Sequence, residues 1–199
     1  MVTKNLISLV LFILFIFSYS VKLIIQSRRN KINAYVLGQG NKTKQIRGVE
    51  QFVRISTFIW GITWVVQAFF QNQINKYIGL IIEVDYRLGL AIIALGLMTF
   101  IKAMVDMKSS WRVGIDKETK SSLITYGIYR YSRNPAFVGF DLMFMGLFLT
   151  YPNILTLIVA FTNVIGLHLL IMQEEKHLKS MFGNAYLEYM QKTPRYFGL

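Results

Sequence analysis

The tripeptide Arg133-Asn134-Pro135 stands directly before an apolar run and has the residue types of an anion-binding helix start. Proline suits the first position of a helix, and asparagine suits the cap before it. Free backbone N–H groups at such a start, with an arginine beside them, would bind a carboxylate of a ligand. A helix start without a ligand explains the tripeptide equally well, and both interpretations can hold together.

Three acids in or beside apolar runs are the other candidates for chemistry. Glu174 and Glu175 directly follow the last apolar run, where a carboxylate could accept hydrogen bonds from paired ribose hydroxyls or face a cationic ligand. Alternatively, both are solvated charges at a membrane interface. Asp141 lies inside an apolar run, and an acid at that depth is a candidate site residue by default. It could instead pair with Arg133 or with a neighbouring backbone group.

The counts of cysteine and histidine exclude several classes of site. Without cysteine, the chain has no disulfide, thiolate zinc site, iron–sulfur cluster or cysteine nucleophile. Only His168 and His177 could ligate a metal through imidazole, so no metal site is expected. His168 lies in an apolar run and is expected to be a packed, hydrogen-bonded side chain, whereas His177 is expected to lie on a tail helix.

The composition indicates that water is not the main solvent around these candidate residues. Hydrophobic residues make up 54% of the 199 residues and charged residues 16%, whereas soluble domains contain about 25% charged residues. The net charge is +12, but the basic residues stand between apolar runs and form no separate arm. This distribution favours a membrane surface over a nucleic acid as the basic face's partner.

The lengths of the apolar runs predict an all-α polytopic membrane bundle of about five spans. The runs cover about residues 5–25, 52–70, 88–107, 136–150 and 154–172. Tyr151-Pro152-Asn153 separates the last two and predicts a tight helical hairpin. The charged tail from Gln173 is expected to form an amphipathic helix at the membrane surface. We expect one membrane domain over 1–199, with three spans and a basic loop in 1–107 and a cofactor-binding loop, the hairpin and the tail in 108–199.

Two loops rich in lysine and arginine predict the orientation of the bundle. They cover residues 26–51 and 108–135 and include Lys42, Lys44, Arg112, Lys117, Lys120, Arg130 and Arg133. Because cytoplasmic loops carry an excess of such residues, both are expected on the cytoplasmic side. The N-terminus would then be outside and the C-terminus cytoplasmic. Arg54 and Lys102 are expected to extend their charges toward water from the ends of their spans.

A series of short motifs runs through about residues 111–197. Its elements are Ser110-Trp111-Arg112, Gly114-Ile115-Asp116, Gly127-Ile128-Tyr129, Arg133-Asn134-Pro135 with Gly139, Glu174-Glu175, and Phe182-Gly183 with Tyr186, Tyr189 and Arg195. In this order, around a helical hairpin, they resemble the isoprenylcysteine carboxyl methyltransferase family and its relative, phosphatidylethanolamine N-methyltransferase. Each element alone is weak, and the first hundred residues agree with the family only in hydropathy.

The resemblance implies an S-adenosylmethionine-dependent membrane methyltransferase with a lipophilic acceptor, either the carboxylate of an isoprenylcysteine-like compound or a lipid amine. It also implies a cofactor pocket formed by the C-terminal loops and tail, without a Rossmann domain. By resemblance, the cofactor-binding residues would be Tyr129, Arg133, Asn134, Pro135, Gly139, Glu174 and Glu175.

The resemblance places the acceptor beside Trp111, Arg112 and Arg195. Arg195 would orient a carboxylate acceptor, whereas an amine acceptor would need a base such as Glu175 or Asp141. Two positions depart from the family, which commonly has histidine at Asn134 and tyrosine at Phe137. Asparagine can still donate and accept hydrogen bonds, but Phe137 lacks the hydroxyl group.

Two other functions fit parts of the same pattern. Sterol and steroid reductases resemble this fold at their C-terminal ends, often carry an Arg-His-Pro element, and use a nicotinamide cofactor. An NADPH-dependent membrane reductase is therefore the main alternative. The second is a non-enzymatic membrane protein in which the charges around Arg133 and Glu174 are only interface charges. Membrane lipids and a lipophilic small molecule are the expected partners, and nucleic acid is not.

Overall fold

Six α-helices and two short 3-10 helices form the secondary structure of residues 2–80, 84–116 and 122–198, the part of the chain that the computed structural model describes. The α-helices are α1 (Val2–Asn30), α2 (Lys44–Ile78), α3 (Tyr86–Asp106), α4 (Pro135–Thr150), α5 (Ile154–Phe182) and α6 (Asn184–Lys192). The 3-10 helices cover Lys108–Ser110 and Gly127–Arg130. The prediction of an all-α bundle is confirmed.

Four of these helices, α1, α2, α3 and α5, are long and apolar enough to cross a membrane. The fifth predicted span, α4, is apolar but has only 16 residues, fewer than the roughly 20 that cross a bilayer perpendicularly. The helical membrane bundle is therefore as expected, with one short member. This short helix packs along α3, so the two together form one layer of the bundle.

Close packing of α3 and α4 depends on glycines that face each other. A Cβ atom added at Gly139 would lie 2.7 Å from the carbonyl oxygen of Gly96, and one added at Gly96 would lie 2.6 Å from the carbonyl oxygen of Gly139. Small residues of this kind let helix backbones approach closely in membranes. Gly139 therefore holds α4 against α3.

The hairpin between α4 and α5 is confirmed, and Asn153 closes it. The Asn153 side chain accepts a hydrogen bond from the Thr156 N–H (3.0 Å), which caps α5. Its amide group also donates to Gln67 Oε1 (3.1 Å) and Asn75 Oδ1 (3.2 Å) on α2. This buried polar network joins the hairpin to the opposite helix.

We had predicted a separate amphipathic helix from Gln173, but the separate tail helix, α6, begins only at Asn184. Instead, α5 continues through Phe182, and Gly183, with φ of +54°, ends it before α6 begins. Hydropathy marks where the apolar run stops, but a helix continues into water while its residues favour it. Glu174 and Glu175 therefore lie within α5, in its last three turns.

The two basic loops contact each other at one end of the bundle, as the charge pattern predicted. The Val36 N–H donates to the Val113 carbonyl (3.0 Å), and the Val113 N–H donates to the Ala34 carbonyl (2.7 Å). Glu50 is fully buried beneath this contact. The predicted basic residues Lys117 and Lys120 lie outside the described residues.

Candidate functional site

A cavity of about 770 Å³ lies between α1, α2, α5 and the loop that joins α3 to α4. We call it the central cavity. Its polar half lies beneath the basic loops and is lined by Arg54, Arg112, Asp116, Tyr129, Arg133, Asn134, Glu174 and His177. Its apolar half extends between α1 and α2 and is lined by Phe12, Phe15, Ile16, Phe58, Trp60, Ile62 and Phe140. One continuous space therefore joins a charged end to an apolar end.

Arg133 lies at the start of α4 and forms a buried ion pair with Glu175 on α5. The Arg133 Nη2 and Nε atoms lie 2.9 and 3.2 Å from Glu175 Oε1. The Arg133 Nη1 group donates to the Met190 carbonyl (3.2 Å) and the Thr193 carbonyl (2.6 Å). Four of the five N–H donors of the guanidinium are thus used within the described residues, which leaves one on Nη2, and Arg133 also lines the cavity.

Glu175 accepts hydrogen bonds from two further side chains. Arg195 donates from Nη2 to Glu175 Oε2 (2.8 Å), and the Asn134 amide donates to Glu175 Oε1 (3.3 Å). We call Arg133, Asn134, Glu175 and Arg195 the Glu175 cluster. The hydrogen bond to Glu175 also raises the pKa of Arg195. The cluster joins α4, α5 and the C-terminal segment into one unit.

The backbone before α4 is fixed by the same C-terminal segment. Ser132 Oγ donates to the Arg195 carbonyl (2.8 Å) and accepts from the Asn134 N–H (3.1 Å). The Asn134 side chain makes no capping hydrogen bond to α4, because its amide donates to Glu175 and to the Arg195 carbonyl. The prediction that α4 begins at Pro135 is confirmed, but the predicted capping by the Asn134 side chain is wrong.

Two tyrosines of α6 cover the polar half of the cavity. Burial raises the pKa of both Tyr186 and Tyr189, so both phenols stay protonated at neutral pH. The Tyr189 hydroxyl donates to the Tyr129 carbonyl (2.6 Å), which fixes α6 against the 3-10 helix before α4. Burial raises the pKa of Tyr129 as well. The cover over the cavity is therefore neutral.

Glu174 differs from Glu175 in its surroundings although the two are adjacent. Its carboxylate lines the central cavity, and no group in the described part of the chain donates a hydrogen bond to it. A carboxylate is an acceptor with about four lone-pair positions. Glu174 therefore offers unused acceptor capacity to a ligand, whereas Glu175 is occupied by the protein itself.

The loop between α3 and α4 supplies another wall of the cavity. Trp111 and Arg112 both line it, and their contact with an acceptor stays a prediction. The Arg112 Nε donates to Asp116 Oδ2 (3.0 Å), and the His177 Nε2–H donates to the Asp116 carbonyl (2.9 Å). His177 thus lies on the cavity wall, and α5 is tied to this loop.

The structure brings most, but not all, of the predicted site residues to the central cavity. Tyr129, Arg133, Asn134 and Glu174 line it, with Trp111 and Arg112. Pro135 and Gly139 do not line it, and Gly139 packs against α3. Glu175 and Arg195 lie behind the wall in the Glu175 cluster. The catalytic and binding roles predicted for all of these residues stay predictions.

Asp141 does not pair with Arg133, which the sequence had left open. Arg133 is paired with Glu175, and Asp141 lies on another face of α4, beside Val164, His168 and Tyr196. As expected, His168 is packed and hydrogen-bonded, its Nδ1 lying 2.7 Å from the Tyr196 hydroxyl. The catalytic role of Asp141 also stays a prediction.

Arg54 is a cavity residue that sequence reasoning placed only at a span end. It lines the central cavity next to Thr57 and Phe58, and its side chain is exposed and makes no ion pair or hydrogen bond within the described residues. No sequence signal marked this position, because Arg54 stands near the start of the predicted span 52–70, whereas α2 already begins at Lys44. Lys102, in contrast, pairs with Asp106 on its own helix.

This chain is similar to known methyltransferases. The phospholipid methyltransferase family model matches residues 84–185, about half of the chain. Protein-S-isoprenylcysteine O-methyltransferase B of Arabidopsis thaliana is 32% identical over 110 residues, which are 53% of this chain and 55% of that protein. Protein-S-isoprenylcysteine O-methyltransferase of Schizosaccharomyces pombe is 32% identical over 120 residues, 59% of this chain and 51% of that protein.

A probable protein-S-isoprenylcysteine O-methyltransferase of Oryza sativa subsp. indica is 34% identical over 109 residues, 53% of this chain and 56% of that protein. This chain therefore spans about half the length of the curated relatives it matches. The segment matched by the family model runs from before α3 to the start of α6 and includes Arg133, Glu174 and Glu175. It ends before Arg195.

Proposed function

Because this chain belongs to the phospholipid methyltransferase family, we propose that it is an integral membrane enzyme that transfers a methyl group from S-adenosylmethionine to a lipophilic acceptor. The observation that carries the proposal is the central cavity, which joins a polar half lined by charged side chains to an apolar half between two spanning helices. A polar cofactor and an apolar acceptor would meet where the halves join. The cavity volume lies in the range typical of small-molecule sites.

The residues of the polar half fit this cofactor. S-Adenosylmethionine, when bound, supplies a methyl group on a sulfonium, and its transfer breaks a carbon–sulfur bond, forms a carbon–oxygen or carbon–nitrogen bond and leaves the electron pair on a neutral thioether. Glu174 has free acceptor capacity for ribose hydroxyls or for a cationic group. The remaining Nη2 hydrogen of Arg133 would bind a carboxylate.

Positioning is the main task of the chain's own residues in this reaction. The Glu175 cluster is held by buried, charge-assisted hydrogen bonds, so Arg133 and Asn134 are fixed before a ligand arrives. Neutral Tyr186 and Tyr189 are buried beside the polar half and would reduce its exposure to water. In such a site, the attraction between the positively charged sulfonium and an anionic acceptor would be stronger than in water. Orientation and desolvation would together accelerate the transfer.

The acceptor would enter from the bilayer between α1 and α2. Ile16, Phe58 and Ile62 line the apolar half and are also exposed on the outside of the bundle, where lipid would contact them. Arg54 lies beside Phe58 and would orient an anionic group of the acceptor. Arg195 was the sequence-based choice for this role, but its guanidinium is engaged by Glu175. With the basic loops cytoplasmic, the cofactor would enter from that side.

The direct test is calorimetric titration of the purified protein, in nanodiscs, with S-adenosylmethionine. We expect the unaltered protein to bind the cofactor and Glu174→Gln to bind it at least tenfold more weakly. The substitution removes the negative charge and half of the hydrogen-bond acceptor positions of the side chain. Glu188→Gln is the matched control, since Glu188 is an exposed acid on α6 with no partner in the described part of the chain. Unchanged affinity in Glu174→Gln would remove this site assignment.

A parallel titration with NADPH separates the methyltransferase from the reductase alternative. Binding of NADPH without S-adenosylmethionine would overturn the proposal in favour of a reductase. Binding of neither would favour the non-enzymatic alternative. A membrane-lipid extract incubated with methyl-labelled cofactor then identifies the acceptor, because the label moves into the lipid fraction only if methyl transfer occurs.

A further inference from the structure

A second recess, separate from the central cavity, lies on the outer face of α4 and α5. We call it the lateral crevice. It has a volume of about 430 Å³ and is lined by Asp141, Val164, Ile165, His168, Leu169 and Tyr196. None of these six residues lines the central cavity. The proposed methyl transfer therefore does not account for the lateral crevice.

The acid in the lateral crevice lacks a partner. Asp141 Oδ1 is buried, and no group within the described residues gives it a hydrogen bond. The two other polar residues that line the lateral crevice are His168 and Tyr196, and they are hydrogen-bonded to each other, with Nδ1 and the hydroxyl oxygen 2.7 Å apart. A carboxylate at membrane depth is costly unless it is paired. The lateral crevice therefore presents an unused acceptor to a cationic group.

The lateral crevice opens toward lipid near the polar end of the bundle. Ile165 and Leu169 are 57% and 44% exposed on its rim. Asp141 lies roughly 9 Å along α4 from Pro135, and His168 lies roughly 9 Å along α5 from Glu174, at 1.5 Å per residue. With Pro135 and Glu174 at the level of the headgroups, Asp141 and His168 would lie near the boundary between headgroups and acyl chains. An occupant would therefore carry its charge close to its apolar chain.

We propose that the lateral crevice binds the ammonium group of a membrane amphiphile. The ammonium group donates to the carboxylate of Asp141, which lines the lateral crevice, and the alkyl chain lies along Ile165 and Leu169. The rings of His168 and Tyr196 stack at a centroid distance of 6.2 Å beside the same space. The phenol face adds a cation–π contribution to ammonium binding. Charge complementarity selects a cation, and the exposed aliphatic rim selects a lipid over a soluble amine.

The test uses the protein in phosphatidylcholine nanodiscs and three probes, octadecylamine, octadecanol and butylamine. Octadecylamine has both charge and chain, octadecanol has the chain alone, and butylamine has the charge with a short chain. We expect octadecylamine to bind at least tenfold more tightly than octadecanol, measured by equilibrium binding of the tritiated compounds. If butylamine binds as tightly as octadecylamine, the occupant is a free amine and the lipid assignment is overturned.

Two substitutions separate the proposal from a general affinity for alkyl chains. In Asp141→Asn, the preference for octadecylamine over octadecanol should disappear. Ile165→Trp should fill the rim and weaken both long-chain probes without altering the acid. Glu188→Gln is the matched control, because it removes an exposed acid outside the lateral crevice. Thermal unfolding midpoints show which variants are folded.

An equal affinity of the unaltered protein for the amine and the alcohol would overturn the proposal. A preference for the amine that persists in Asp141→Asn would overturn it as well. Because these measurements use no S-adenosylmethionine, a failure of the proposed methyl transfer leaves them interpretable. The converse also holds, since the Glu174 titration does not depend on the lateral crevice.

Discussion

Arg133 and Glu175 form a buried ion pair, with Nη2 and Oε1 2.9 Å apart, that joins the segment directly before α4 to α5. Their side chains are only 8% and 5% exposed. Glu175 accepts from Asn134 and Arg195 as well, so a single carboxylate holds three elements together. The adjacent Glu174 makes no such hydrogen bonds within the described residues and lines the central cavity, where we propose that it contacts the cofactor.

Breaking this ion pair should destabilise the bundle. In Arg133→Met, Glu175 loses a principal partner but remains buried, which should lower the free energy of unfolding by about 3–5 kcal/mol. The measurement is unfolding by sodium dodecyl sulfate from mixed micelles, monitored by circular dichroism. Arg87→Met is the matched control, since its pair with Asp85 is exposed on both sides, and we expect it to change stability by less than about 1 kcal/mol.

Glu174 and Glu175 should give opposite results when each is changed to glutamine. Glu175→Gln should lower the unfolding midpoint, because two arginines lose the charge that pairs them. Glu174→Gln should leave the midpoint almost unchanged and reduce S-adenosylmethionine affinity. Thermal unfolding with and without cofactor reports both quantities in one experiment. Equal loss of stability in the two variants would contradict the division of roles.

The contact between the basic loops should depend on Glu50. Glu50 accepts from Lys42 Nζ (2.8 Å), the Ile115 N–H (2.8 Å) and the Gly38 N–H (2.7 Å), and both charged side chains are almost completely buried. Glu50→Ala would leave Lys42 buried without its partner, at a cost of about 3–5 kcal/mol. We expect faster cleavage by trypsin within residues 28–47.

Glu188→Ala provides the comparison for that experiment, because Glu188 is exposed, lies outside the ion pair, and its replacement removes no trypsin site. Ile115 and Gly114 line the central cavity, so Glu50→Ala should also weaken S-adenosylmethionine binding. Protection from trypsin equal to that of the unaltered protein would show that the loops hold together without Glu50.

Two glycine-to-alanine substitutions should shift stability in opposite directions. In Gly139→Ala, the new Cβ would lie 2.7 Å from the Gly96 carbonyl oxygen, so α3 and α4 must separate. In Gly48→Ala, on α2, the new Cβ meets nothing within 4 Å, and the helix should gain up to about 1 kcal/mol. Unfolding in mixed micelles measures both. A gain of stability in Gly139→Ala would contradict the close packing.

Arg54 should affect the acceptor and not the cofactor, if the proposed function holds. In Arg54→Gln, the KM for an anionic acceptor should rise about tenfold, because one charge-assisted hydrogen bond contributes roughly 1.5–3 kcal/mol. The Kd for S-adenosylmethionine should stay within about twofold of the unaltered value. A rise in the Kd with an unchanged KM would move Arg54 to the cofactor side of the cavity.

The span positions and the start of α4 were predictable because they depend on local properties of the chain. An apolar run of about 20 residues forms a helix in lipid, where backbone groups must bond internally. Pro135 could begin a helix, and Asn153 could cap the next one. The end of α5 was not predictable from hydropathy, because the helix continues ten residues past Met172 to the glycine at 183.

The chain's own residue types and their spacing therefore determined the helical membrane bundle, the paired basic loops and the family motifs from Trp111 to Arg195. Only the tertiary structure decided which acid holds the fold and which faces the cavity. Neighbouring residues of a helix point about 100° apart, so Glu174 and Glu175 face different partners despite their adjacency. Those partners, and the position of Arg54 beside the same cavity, depend on how helices distant in sequence pack together, which no local pattern encodes.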